Sequence, residues 1–535
     1  MNTIIGFEEE MCMASIKSPA ELAGIILNKI SKQERLAFCS AFFSGLFCHL
    51  FIITNSMYNN DDIRYLFTPM DRPDLGRWLL TYFGRISSYF SLPVVNLLLA
   101  LFFIGLAMMT ITAIFDLKSG PGIFLMSAMT AVFPSVATIF SFTFTADPYM
   151  LSLFFATLAA YFVTRLNRGR FIWILGSLFL MLSVAIYQAY LPFTLLLMLL
   201  WYIAAILSPE RYDNGTLIRK GIDYVLMLAV GMSAYAAGMK ITLAYKGGAL
   251  KDYQGLAESS LPGPSMLLTR MKLALTDFIE FFKPAQILSY NSFMKIALAL
   301  TVLTLLAVFV CRFVQKKTYT SGLRILLLVI SLACIPFSVN VLYLISETVQ
   351  YHMLMRHAWC ILFIAPLILF ELFREEKDAK RTHVALTEWC MIAAVTIAVW
   401  NYVLLDNIGY YNMNFRYEKT YAHCLELRDR IKNADDYDRH LKFCFVGRYS
   451  KLFKAEGTEE LLENMTGMKG AKIGSGTRIY VPFFQNCLGE DVEGVTDAEE
   501  AAMKENPLFQ EMPAYPDDGC IRRIDDVLVI KLNTD

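Results

Sequence analysis

The chain has 535 residues with 48 basic and 48 acidic side chains, so its net charge is zero and no global field draws it to nucleic acid. Hydrophobic residues make up 56% and charged residues 18%, with a mean hydropathy of +0.46, which is more apolar surface than a soluble domain can bury. The expected class is an α-helical polytopic membrane protein, and a 14% aromatic content suits lipid-facing and interfacial positions.

The opening stretch, MNTIIGFEEEMCMASIKSP, lacks the basic-then-apolar order of a cleavable signal peptide, so the spans are expected to direct insertion. Residues 1–35 read as a cytoplasmic segment carrying one interfacial helix over 18–35. Ser18 caps it, Pro19 suits its first position, Glu21 completes a capping box, and Leu22, Ile25, Ile26 and Ile30 form its apolar stripe. At ~20 apolar residues per crossing, roughly eleven spans follow. They fall near 36–54, 94–115, 122–143, 149–164, 171–187, 190–208, 222–244, 292–313, 325–346, 358–373 and 386–405.

Lysine and arginine mark every second short loop: Arg165, Arg168 and Arg170; Arg211, Arg219 and Lys220; Arg312, Lys316, Lys317 and Arg324; Arg374, Lys377, Lys380 and Arg381. The loops between, such as TADPYM and YQAYLP, have neither residue. This bias predicts a cytoplasmic N-terminus and, with an odd number of spans, an extracytoplasmic C-terminus.

The first outer loop, 55–93, departs from that trend with Arg64, Arg72, Arg77 and Arg85. Four cations on the outer side need anionic partners, either lipid phosphates or Asp61, Asp62, Asp71 and Asp74. Its second half, RPDLGRWLLTYFGRISSYF, spaces Leu75, Trp78, Leu79, Tyr82, Phe83, Ile86 and Phe90 as one helical face, with Arg77 and Arg85 opposite. Gly76 and Gly84 before those arginines suit close approach of backbone or ligand. A second outer amphipathic segment, 264–290, follows the Gly- and Pro-containing stretch YKGGALKDYQGLAESSLPGPS, as either a mobile flap or an ordered loop.

Residues 406–535 turn polar and read as a soluble extracytoplasmic α/β domain. EKTYAHCLELRDRIKNA, TEELLENM and DAEEAAMKE read as helices, and LKFCFVG, RIYVPFF and VLVIKL as strands. No phosphate-binding glycine loop appears there. Cys424, Cys444, Cys487 and Cys520 allow three disulfide connectivities, or remain free thiols, and their spacing is unlike a zinc site.

The stretch YNNDDIRYLF holds the side-by-side pair Asp61 and Asp62. One reading is a solvated turn with Asn59 and Asn60. The other is a general base, since a neighbouring like charge raises one carboxyl pKa toward usefulness. NNDDIRYLF, followed by LGRWLLTYFGRI after one transmembrane helix, resembles the start of the bacterial GtrII-type glucosyltransferases, polytopic members of the GT-C superfamily. The resemblance in motif covers about residues 50–90, and the order of spans and C-terminal domain agrees beyond it.

That resemblance implies transfer of glucose from a polyprenyl-phosphate carrier to an outer-surface glycan. An inverting displacement needs one carboxylate as base, with Asp62 preferred over Asp61, and arginine forks on the leaving phosphate. Arg64, Arg77 and Arg85 are the cations of the first loop. Asp147, the one charge in TADPYM, is either a further site acid by the resemblance or a helix cap ahead of Pro148. Arg356, beside His357, suits either the carrier phosphate or snorkelling to headgroups. Gln188 and Tyr190 suit either sugar hydroxyls or an interfacial belt. No metal and no other cofactor is expected, because a monophosphate carrier needs none and no His/Asp/Glu cluster is visible. The expected partners are therefore the lipid-linked sugar, the glycan acceptor and the bilayer. The alternative is a transporter or flippase of lipid-linked sugars, which should carry ionisable groups at mid-membrane, and a non-catalytic scaffold would leave the arginine-rich loop unexplained.

Overall fold

The computed structural model describes residues 18–164, 171–250, 264–283, 292–374, 381–449, 462, 464–468 and 476–533. Four expectations fall wholly or largely outside these residues: the basic loop at 165–170, most of the glycine-containing stretch before 264, the basic residues Lys377 and Lys380, and the helix TEELLENM.

Two capping boxes begin the chain, Ser18–Glu21 before α1 (Pro19–Lys29) and Ser31–Glu34 before α2 (Lys32–Thr54). The helix expected over 18–35 is therefore two helices, because the second box restarts the chain at Ser31. Next come α3 (Asn60–Arg64), α4 (Leu80–Gly84), α5 (Pro93–Phe115), α6 (Gly120–Val132), α7 (Pro134–Phe140) and α8 (Thr143–Thr164). The bundle continues with α9 (Trp173–Ile186), α10 (Leu191–Ile206), α11 (Asn214–Lys246), α12 (Pro264–Phe281), α13 (Ser292–Gln315), α14 (Gly322–Val339), α15 (Val341–Ile345) and α16 (Ile361–Arg374). The chain ends with α17 (Arg381–Lys432), β1 (Lys442–Val446), α18 (Thr477–Leu488), α19 (Asp497–Lys504), α20 (Pro507–Glu511), β2 (Ile521–Ile524) and β3 (Val527–Lys531).

The protein is a mostly helical, polytopic membrane protein. Among the described residues eight helices are long and apolar enough to cross a bilayer, or nine when α6 and α7 count as one span bent by 43°. Pro134 makes that bend, since it cannot donate to the preceding turn. The other two expected spans fall on shorter apolar helices, Trp173–Ile186 and His357–Leu372. The core lies where α2, α5, α6 and α8 meet. Gly45 of α2 faces Leu101, and Gly105 of α5 faces Phe38, each so closely that a Cβ would clash, so these glycines let α2 and α5 approach. On α13 and α14 the residues left exposed, such as Leu303, Leu306, Leu326 and Val329, are apolar, as a lipid-facing surface requires.

Helix α17 joins what the sequence reads as a last span and a separate helix. Its 52 residues extend about 78 Å at 1.5 Å per residue, far beyond a hydrocarbon core of ~30 Å. Gly409 does not interrupt it, and Met468 packs where a Cβ would stand. The boundary drawn at 405/406 thus lies inside a continuous helix.

The C-terminal sheet has the order β1-β3-β2, with β1 parallel and β2 antiparallel to β3. LKFCFVG and VLVIKL supply β1 and β3 as expected. RIYVPFF, expected as a strand, instead lies within α18, whose Tyr480 stacks on Phe445 at 4.8 Å. Five of its seven residues are buried, and a short apolar run of that kind has no periodicity to separate strand from helix. The third strand is β2, joined to β3 through Asp525 in the left-handed region at φ 53°.

Candidate active site

Three connections meet at one end of the bundle: 55–93, the start of α8, and 187–190. Leu79 N donates to Ala185 O at 3.1 Å, and Gln188 Nε2 donates to Leu75 O at 2.9 Å. The expected single helix over 75–90 is broken into short turns. Gly76 takes a left-handed φ of 74°, and Ser88 does so at 69°. As a result Arg77 and Arg85 point to different surroundings.

The acid pair sits on α3, a single turn built by local caps. Asn59 Oδ1 accepts from the amides of Asp61 at 2.8 Å and Asp62 at 2.9 Å, and its side-chain amide donates to Ser141 O. Asp62 completes the capping box by accepting from Asn59 N at 3.4 Å. Its other oxygen accepts from Ser91 Oγ at 3.0 Å and Phe144 N at 3.4 Å. Asp62 is 0% exposed, and burial outweighs those hydrogen bonds, pushing its carboxyl up to about 8. It is consequently mostly protonated at neutral pH.

Asp61, one residue earlier on the same turn, is exposed. Crowding by protein raises its pKa, and the charges of Arg64, Arg478 and Arg72 offset that rise only in part. Arg478 comes from α18, which packs on α3, and Ile63 is buried among Leu427, Phe443 and Phe483 of the C-terminal unit. The C-terminal unit is thus seated directly on the acid-bearing turn.

Arg64 is exposed and lies over the Tyr65 ring at 5.4 Å. Arg72 pairs with Asp74 at 3.0 Å, and Lys246 holds Asp71. Arg77 turns inward, donating to Tyr149 Oη at 2.7 Å beneath the Tyr187 ring, whose centroid is 5.1 Å away. Tyr149 and Tyr187 stack at 3.9 Å, so a planar cation and two phenols form one partly buried wall. Arg85 stays exposed against Tyr82 and Tyr89. Gln188 also meets Tyr235 Oη at 3.2 Å, close to this wall.

Asp147 lies within α8, whose first residue is Thr143, and so does not cap the helix. It is 1% exposed; Oδ1 accepts from Asn96 Nδ2 at 2.9 Å, and the same amide donates to Ser87 at 3.1 Å. Oδ2 has no hydrogen-bond partner. Tyr190 is buried against Met150 and His357, both at 3.4 Å, away from any open surface.

Arg356 is also buried, and Asp277 of α12 fills its fork at 2.7 and 2.9 Å. Phe281, which this guanidinium overlies, stacks on Trp359 at 3.7 Å. Trp359 and Phe278 line an apolar groove of about 270 Å³ between α10, α12, α13, α14 and α16. The structure therefore unites Asp61, Asp62, Arg64 and Arg72 with Arg478, and separately Arg77 with Gln188, Tyr149 and Tyr187. Arg356 stands apart from both groups, at the groove. Arg478, Ser91, Asn96, Tyr149 and Tyr187 carry no local signal, because each is ordinary in its own segment and acquires a partner only on folding.

A polytopic helical protein with an acid–arginine turn seated under a C-terminal unit is the class that this fold and site define. A family model described as "Glucosyl transferase GtrII" matches residues 50–364, more than half of the chain and all of this site except its C-terminal cover. The chain belongs to the GtrII glucosyltransferase family and is a glycosyltransferase. No curated protein and no solved structure matches it.

Proposed function

We propose that the protein moves glucose, with inversion, from a polyprenyl-phosphate carrier to a cell-surface glycan at the outer face of the bacterial plasma membrane. The N-terminus is then cytoplasmic, and the C-terminal α/β unit beyond α17 extracytoplasmic. The observation that carries this reading is the division of labour on α3. Asp62 is buried and holds the turn, while exposed Asp61 sits in the field of Arg64, Arg72 and Arg478.

In this reading Asp61, rather than Asp62, takes the proton of the acceptor hydroxyl. The hydroxyl oxygen attacks the anomeric carbon as the bond from that carbon to the phosphate oxygen breaks, and polyprenyl phosphate departs with the electron pair. Arg64 and Arg72 stabilise the leaving phosphate, and Asp62 acts as a positioning residue. Arg77, Gln188 and the stacked tyrosines form a wall suited to a sugar ring, with Arg85 nearer the headgroups. The apolar groove beside Trp359 has the chemistry for an isoprenoid tail. Arg356 and Tyr190 shape the bundle beside it.

The test is transfer from synthetic polyprenyl-phosphate glucose by the purified protein in liposomes, together with mass spectrometry of surface glycans in cells with and without it. Loss of one hexose per glycan repeat in the deletion strain supports the reading. A protein that moves the lipid across liposomes yet forms no glycosidic bond is a flippase, and the reading fails.

A further inference from the structure

Cys48 and His49 of α2 and Asp406 of α17 lie together inside the helix bundle, each 0% exposed, with Cys48 and Asp406 358 residues apart in the chain. Their Sγ, imidazole nitrogen and carboxylate oxygen all lie within 4.8 Å of one another. We propose that these three residues bind a divalent transition metal of the zinc class. The centre would tie α2 to α17 directly beneath the acid-bearing turn.

Three observations support a metal over a hydrogen-bonded polar knot. The first is the histidine tautomer. His49 Nε2 lies 2.9 Å from the carbonyl of Ala131, which only accepts, so Nε2 carries the hydrogen and Nδ1 keeps its lone pair. A ligand histidine is held this way, with its other ring N–H given to a backbone carbonyl. Tyr410 O–H now donates to Nδ1 at 2.7 Å and yields that position to the metal.

The second is Asp406. Its Oδ2 lies 3.5 Å from Cys48 Sγ, while Oδ1 has no hydrogen-bond partner although the residue is wholly buried. A carboxylate oxygen left bare inside a helix bundle is costly unless something cationic faces it.

The third is charge. Cys48 binds as thiolate, releasing its proton, and with the Asp406 carboxylate and neutral His49 it makes a divalent ion electrically neutral, the state a low-dielectric interior favours. Zinc takes sulfur at about 2.3 Å and nitrogen or oxygen at about 2.0 Å, so the ligand atoms need to close by only about 1 Å. The α2 end of the tie reaches the acid-bearing turn. The His49 ring packs on Phe140 at 4.8 Å, and the next residue, Ser141, holds Asn59.

Full-length protein purified in nanodiscs and washed with a weak chelator should retain roughly one zinc per chain by plasma emission spectrometry. Cys48→Ala, His49→Ala and Asp406→Asn should each lose it, while Cys39→Ala on the same helix keeps it. Cobalt loaded into the wild type should show a thiolate-to-metal charge-transfer band, lost in Cys48→Ala. Equal zinc in the wild type and the Cys48→Ala/His49→Ala/Asp406→Asn variant overturns the proposal. So does a wild-type cobalt spectrum without the thiolate band, a readout that does not depend on the variants folding.

Discussion

Asp62→Asn separates a positioning carboxyl from a catalytic one through pH. Asp62 is fully buried, and its pKa is pushed up to about 8, so the folded protein holds a proton there that the unfolded chain releases near pH 4. An acid whose folded pKa is raised makes the native state bind more protons, so stability falls as pH climbs from about 4 and levels off above about 8. The slope is near 1.4 kcal/mol per pH unit, on the order of 5 kcal/mol in all.

Asparagine cannot ionise, so the variant should lack this slope. Its Oδ1 can still accept from Asn59 N, but its amide then faces the amide of Phe144, losing one hydrogen bond at about 1 kcal/mol. The expected result is a crossover. The variant unfolds slightly below the wild type at pH 5 and clearly above it at pH 8.5, in thermal scans followed by tryptophan fluorescence in detergent. Near neutral pH it should keep most of its transfer activity. Parallel pH profiles for the two proteins would refute the buried-acid assignment, and complete loss of transfer with an unchanged fold would return the base to Asp62.

Asp61→Asn should leave the melting temperature unchanged and lower transfer by about 10²–10⁴-fold, the range for a lost general base, in the liposome assay. Arg356→Ala leaves the partly buried Asp277 carboxylate without its fork and should destabilise by about 2 kcal/mol, seen in thermal unfolding. Adding Asp277→Ala should restore part of that loss, and a pure rise in donor KM at unchanged stability would contradict the pairing. Ile63→Ala removes a fully buried anchor between α3 and the C-terminal unit and should cost about 3 kcal/mol. Limited proteolysis should then release residues beyond α17 faster than in the wild type, and equal rates would show that the seat lies elsewhere.

The candidate site was half legible. Asp61, Asp62 and the four arginines of 55–93 stand out because charge at the edge of apolar spans is conspicuous in a line of residues. Which acid is buried is a different matter. It depends on Ser91 and on Phe144, 82 residues away in the chain, closing over Asp62. Arg356 was legible as a cation and illegible as an ion pair, because Asp277 lies 79 residues earlier in a different amphipathic helix. RIYVPFF was misread because a short buried run has the same composition as strand or helix, and its partners, Phe445 and α3, decide between them.

By itself the sequence determined the membrane class, the positions of the apolar helices and the capping box that starts α1. These rest on composition over ~20 residues or on contacts three residues apart, where the chain interacts with itself or with its solvent. Tertiary structure alone decided the seating of the C-terminal unit on the acid-bearing turn, the burial that distinguishes Asp62 from Asp61, and the meeting of Cys48 and His49 with Asp406. Each depends on packing between segments distant in the chain, such as 29 residues for Ser91 and Asp62 and 358 for Cys48 and Asp406, and nothing in a local pattern of hydropathy encodes which faces will meet.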